Sequence, residues 1–123
     1  MPTIAALTGK PLPGGRKIDG LDASALWKGK GVSPRKEFLH YTSRGEIEGI
    51  RQGDWKLLVK KARGRKGQTA KASQYMLFNL AKDLGEQQNL ADGQPDRVRK
   101  LRARMEELDA EITQNARAPW HKE

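Results

Sequence analysis

The sequence predicts an α+β fold: a small four-stranded antiparallel sheet with a C-terminal amphipathic helix packed on one face. Three observations predict it. The stretch Glu46 to Val59, EIEGIRQGDWKLLV, sets apolar side chains at strand spacing on both sides of a Gly-containing break. Two further runs, EFLHYT before it and SQYMLFNL after it, carry the β-favouring residues of flanking strands. From Pro95 to Asn115, apolar residues recur every three or four positions, the period of a helix with one buried face.

In chain order, PTIAALT reads as a short apolar helix that Gly9 ends in the manner of a C-cap. Lys10 to Lys36 is connecting chain, broken by Pro11, Pro13, Gly14, Gly15, Gly20, Gly29, Gly31 and Pro34, with room for a helical turn only over Leu21 to Trp27. Ile18, Leu21, Leu26 and Trp27 have no local core to enter, which points to another body of protein against them. Glu37 to Thr42 is the first strand, and Ser43, Arg44 and Gly45 turn the chain into the central hairpin. Gln52, Gly53 and Asp54 close that hairpin, since Gly accepts a positive φ and Asp can hydrogen-bond its own backbone.

Two strands alone are marginal in water, so the hairpin needs flanking strands and an apolar cover. Ser73 to Leu80 supplies the fourth strand, and KDLGEQQNLADGQ makes an irregular crossing to the helix. Pro95 suits a first helical position, and Asp96 suits the positive end of the dipole. Val98, Leu101, Met105, Leu108 and Ile112 form the stripe expected to lie across Trp55, Leu57, Tyr75 and Leu77. Coiled-coil dimerisation is the other use of such a stripe. The resulting division is 1–36 as a Gly/Pro-rich linking segment, 37–115 as the compact unit and 116–123 as a flexible tail.

The chain has 123 residues and no cysteine, which excludes disulfides, thiolate metal sites and a cysteine nucleophile. His40 and His121 lie too far apart in sequence to form a recognisable ligand pair. No apolar run is long enough to span a membrane, so no membrane partner is expected. The net charge of +9 is uneven: residues 1–36 carry seven basic and two acidic side chains, 37–70 eight and four, and 71–123 nine of each. Its densest block is Lys60, Lys61, Arg63, Arg65 and Lys66, a candidate anion site for nucleic acid or sulfated polysaccharide. No aromatic residue is interleaved for base stacking, so nucleic acid is the weaker partner and a solvated hairpin loop the plainer reading.

Three ordered stretches resemble the C-terminal end of a type I sulfatase of the arylsulfatase group. PTIAALTG followed by KIDGLDAS is similar to the end of the last helix of the catalytic domain and the Asp-Gly loop after it. IRQGDWKLL resembles an Arg-x-Gly-Asp-Trp/Tyr-Lys hairpin, and YMLFNLAKDLGEQQNLA resembles the Leu-Tyr-Asp-Leu-x-x-Asp-Pro-x-Glu-x-x-Asn-Leu signature before the final helix. Phe78 and Asn79 stand where Tyr-Asp is usual, and Leu84 where Pro is usual.

The resemblance implies a small four-stranded sheet with a helix packed on it, and makes residues 1–36 the tail of a catalytic domain. It implies a parent enzyme that hydrolyses sulfate esters with formylglycine, made from the Cys or Ser of Cys/Ser-x-Pro-x-Arg, beside a calcium ion held by oxygen ligands. Ser33-Pro34-Arg35 lacks that spacing, and no nucleophile, metal ligand or catalytic base is assigned here. The chain by itself is therefore expected to be inactive and to serve a catalytic domain as its partner. In such enzymes the turn after the first strand approaches the substrate pocket, which makes His40, Tyr41 and Arg44 the candidate substrate contacts. Members of the family are commonly exported, whereas these residues leave the compartment open.

Overall fold

The computed structural model describes residues 1–15, 17–60 and 74–116. They fall into two compact units, one formed by Met1–Lys36 with the C-terminal end from Gln114, the other by Glu37–Thr113.

The first unit begins with α1 (Pro2–Thr8), whose proline stands at the helix start and whose end is marked by Gly9 at φ 66. Gly20 lies so close to the Pro2 ring that a Cβ there would sit 2.9 Å from its Cδ. Thr3 Oγ1 accepts from the Ala23 amide at 3.0 Å, and the Asp22 carboxylate accepts from the Ser24 amide at 2.8 Å. These bonds place α2 (Ser24–Trp27) against α1. Arg35 reaches back to donate to the Asp19 carbonyl at 2.8 Å. Ile4, Leu7, Leu12, Leu21, Leu26, Trp27 and Val32 all remain exposed, Trp27 to 72%.

The second unit contains β1 (Glu37–Tyr41), β2 (Ile47–Gln52), β3 (Trp55–Lys60), β4 (Gln74–Asn79) and all but the last two residues of α3 (Pro95–Asn115). The strands form an antiparallel meander in the order β1-β2-β3-β4. Gly53, at φ 57, opens the two-residue β2–β3 loop, where such a hairpin needs a positive φ. Between Ile47 and Ile50 the apolar spacing is three rather than two. The sheet absorbs the extra residue as a bulge: His40 pairs with Gly49, but Tyr41 pairs with Ile47.

Register brings Ile50, Leu57 and Leu77 side by side across β2, β3 and β4. All three are fully buried and pack with Leu101 and Met105 of α3. Each such side chain contributes roughly 1.5–3 kcal/mol of hydrophobic stabilisation before its entropy cost. Leu39, Trp55, Val59, Tyr75, Val98 and Leu108 surround this cluster, so the apolar stripe of α3 is spent on the sheet. Ile112 is the exception: it is 50% exposed and takes no place in the cluster.

The crossing from β4 to α3 is organised by two side chains of the KDLGEQQNLA stretch. Asn89 Oδ1 accepts from the Leu77 amide at 2.9 Å and the Ala91 amide at 3.0 Å, while the Leu90 amide donates to the Leu77 carbonyl at 2.8 Å. Asp83 accepts from the amides of Gln87 and Gln88 at 3.1 and 2.8 Å, and these amides hold its carboxyl below the usual carboxylate range.

Candidate functional site

The corner between β1 and β2 carries the three candidate contacts, and its turn is shaped by Thr42. The Thr42 amide donates to the Glu46 carbonyl at 2.8 Å, and Thr42 Oγ1 accepts from the Glu46 amide at 3.2 Å. Gly45, at φ 78, donates its amide to the Thr42 carbonyl at 3.0 Å. Arg44 stands exposed in this turn.

His40 and Tyr41 precede it on opposite faces of the strand. The Tyr41 hydroxyl donates to Asp109 Oδ1 of α3 at 2.8 Å. Burial and then this carboxylate push its phenol up to about 12, so it stays a neutral donor at any physiological pH. His40 lies on the other face with Phe38, whose ring meets the imidazole edge-on at 5.1 Å. Burial, and after it the Lys56 charge, lower the imidazole pKa and favour the neutral form. His40 Nε2 is buried and has no hydrogen-bond partner among the described residues. The corner therefore presents one exposed cation, one neutral imidazole and one phenol already engaged by α3.

Of the basic block, Lys60 is exposed at the end of β3. Lys61, Arg63, Arg65 and Lys66 lie outside the described residues.

Several polar contacts around the sheet escaped the sequence reading. Lys56 Nζ pairs with Glu86 at 2.6 Å, and Glu86 takes the left-handed φ of 54 that few non-glycine residues adopt. Arg104 reaches Glu37 across 67 residues of chain, Arg97 lies 4.0 Å over the Trp55 ring, and Arg102 lies 5.5 Å from that of Tyr75. A cation three or four positions from the apolar stripe was the one available signal for the two ring contacts.

Among the described residues, no three of His, Cys, Asp and Glu gather into a group suited to a metal ion. No helix among them is long and apolar enough to cross a membrane.

No family model matches the chain. Curated relatives do, two arylsulfatases among them. Human arylsulfatase A is 32% identical over 136 aligned residues, covering 92% of this chain and 27% of the relative. Rat (Rattus norvegicus) arylsulfatase G is 30% identical over 105, covering 77% and 20%. The chain belongs to the sulfatase family. Within that family it corresponds to a C-terminal segment, and it spans only about a quarter of the length of these relatives.

Solved structures match the segment in fold. A Bacteroides thetaiotaomicron protein, solved in work on that organism's metabolism of multiple glycosaminoglycans, aligns at a TM-score of 0.68 with 22% identity, covering 88% of this chain and 23% of its own. Ps i-CgsB in complex with k-i-k-neocarrahexaose aligns at 0.62 with 23% identity, covering 99% and 25%. A protein bound to its substrate D-glucosamine-2-N,6-O-disulfate aligns at 0.60 with 19% identity, covering 93% and 24%.

Proposed function

We propose that this sulfatase segment is the non-catalytic C-terminal part of a sulfuric ester hydrolase of arylsulfatase type, and that it buttresses the catalytic domain. The observation that carries the proposal is the match to arylsulfatase A, which takes in 92% of this chain but 27% of the enzyme. The exposed apolar side chains of the first unit support a docking role, since Leu7, Leu26, Trp27 and Val32 are a costly surface to leave in water. On this reading residues 1–36 close the catalytic domain, 37–115 form the buttress, and the formylglycine and calcium of the reaction come from outside the segment.

The same reading gives the β1–β2 corner a place beside the sulfate-ester substrate. Arg44 suits it best, as an exposed guanidinium in a turn free to meet an anionic sulfate. His40 contributes a neutral imidazole on the face of β1 that also carries Phe38. Tyr41 contributes by holding the corner against α3 through Asp109.

The test is to translate the reading frame upstream of Met1 and express the segment joined to it. The expected result is an in-frame Cys/Ser-x-Pro-x-Arg and hydrolysis of an aryl sulfate that the isolated segment, with or without calcium, does not perform. Robust metal-dependent turnover by the isolated segment overturns the non-catalytic reading. Replacement of His40, Tyr41 and Arg44 together by Ala is expected to lower kcat/KM of the joined protein, and an unchanged value removes the corner from the pocket.

A further inference from the structure

The solvent face of α3 carries charges arranged against its own dipole. Residues 95–104 hold five bases, Arg97, Arg99, Lys100, Arg102 and Arg104, and one acid, Asp96. Residues 105–115 hold four acids, Glu106, Glu107, Asp109 and Glu111, and no base. A helix favours the reverse order, because its N-terminal end is itself partly positive and its C-terminal end partly negative. Side-chain segregation and helix dipole therefore add into one strong dipole along the solvent face.

Much of this charge is already engaged. Against the sheet, Arg104 pairs with Glu37, Asp109 receives Tyr41, and Arg97 and Arg102 lie over the rings of Trp55 and Tyr75. Along the helix, Arg99 pairs with Asp96, Arg102 with Glu106 and Arg104 with Glu107, exposed pairs that a second copy would have to exchange for its own. Arg99, Lys100, Ala103, Glu106, Glu107 and Ala110 are all exposed. At 3.6 residues per turn they share the side of the helix opposite Leu101, Met105 and Leu108. Ala103 and Ala110 lie along the middle of that side, with Arg99 and Glu106 on one flank and Lys100 and Glu107 on the other.

We propose that this face takes a second copy of the same chain, with the two α3 helices antiparallel about a twofold axis at Ala103. In an antiparallel pair, residues on the same flank meet one another. With the axis at Ala103, Arg99 faces Glu106 of the second copy on one flank, and Lys100 faces Glu107 of the second copy on the other. The twofold repeats both pairs, giving four. Ala103 meets its own counterpart and Asp96 meets Ala110, so no large side chain holds the axes apart at the centre. Head-to-tail alignment also cancels the helix dipoles. A parallel pair would set base against base and acid against acid.

This face is distinct from the apolar stripe, which the sheet already covers, and its partner does not depend on the sulfatase reading. Exposed ion pairs are individually weak and screened by salt, so the association is concentration-dependent and greatest at low ionic strength.

Sedimentation equilibrium of the full chain, at low salt and at high salt, tests the proposal. The expected result is a monomer–dimer equilibrium at low salt that shifts to monomer at high salt. Joint replacement Glu106→Lys and Glu107→Lys, or Arg99→Glu and Lys100→Glu, should each leave a monomer, and an equimolar mixture of the two variants should restore a heterodimer. Ala103→Gln, at an exposed position that leaves the monomer fold intact, should weaken association by about tenfold or more through lost close approach. A wild-type monomer at every salt and concentration overturns the proposal. So does a dimer that persists in high salt, tolerates both charge reversals and tolerates Ala103→Gln.

Discussion

The Arg104 guanidinium grips the Glu37 carboxylate with three hydrogen bonds, Nε donating at 3.2 and 3.0 Å and a terminal nitrogen at 2.5 Å. The pair joins the outermost strand of the meander to the helix that covers the sheet, and Gln52 adds a donor to the same carboxylate at 3.1 Å. Arg104 also pairs with Glu107 at 2.7 Å, so one guanidinium binds a carboxylate on β1 and another on its own helix. The bonds from Arg104 hold the Glu37 pKa down, against a smaller opposing effect of burial.

Because the folded-state pKa of Glu37 is depressed, its contribution to stability is present above the ordinary glutamate value and is lost as pH falls through the folded value. Glu37→Gln should cost about 1–2 kcal/mol at neutral pH. Below about pH 4, its loss relative to wild type should shrink as the wild-type carboxylate takes up its proton. Urea melts of both proteins between neutral and acid pH check this; a constant difference across that range refutes it.

His40 carries the opposite charge logic and the same sign. Its folded pKa is lowered by burial and by Lys56, so the unfolded chain binds a proton that the folded chain resists. Stability should therefore fall as pH drops below about 6.5. Replacing His40 by Gln should flatten that part of the pH profile, and thermal melts at pH 7.5 and 5.5 measure the change.

Gly49 sits in the bulge of β2, where an added Cβ would lie 2.3 Å from the Leu57 carbonyl oxygen and 2.9 Å from Leu58 Cδ2. A backbone atom of a central strand cannot yield cheaply, so Gly49→Ala should destabilise by about 1–3 kcal/mol. Gly85→Ala serves as the control, since its added Cβ would meet nothing nearer than 3.6 Å. Equal melting temperatures for the two variants would contradict the assignment of Gly49.

Asn89 closes the outer edge of β4 by accepting from Leu77 and Ala91. Asn89→Ala leaves the amide of a fully buried strand residue without its partner, at a cost of about 1–3 kcal/mol. Amide exchange at Leu77 should speed up more than at Leu57, which keeps its place between two strands.

The period of the side chains and the turn residues were enough to set the elements. Trp55, Leu57 and Val59 alternate, Gly53 supplies a positive φ, and Val98, Leu101, Met105 and Leu108 repeat at helical spacing; these are local properties, decided within a few residues. They placed α3 at Pro95–Asn115 and the central hairpin about Gly53 and Asp54, and the ordered motifs named the family. Strand ends, by contrast, moved by a residue. Thr42 left β1 to shape the turn, because its hydroxyl has two amides to receive there.

What only the tertiary structure decided depends on chain distance and register. Glu37 and Arg104, 67 residues apart, meet because Glu37, like Leu39 and Tyr41 at alternate positions of β1, points to the face of the sheet that α3 covers. The bulge at Glu48 and Gly49 appeared in the sequence only as a step of three between Ile47 and Ile50, and strand pairing alone gave it meaning. His40 and Tyr41 are neighbours in the chain, yet pleating turns one toward Phe38 and the other toward Asp109. Side-chain identity selects the elements because its physics is local. Which side chains meet is settled by pairing and packing, which join residues that the sequence keeps far apart.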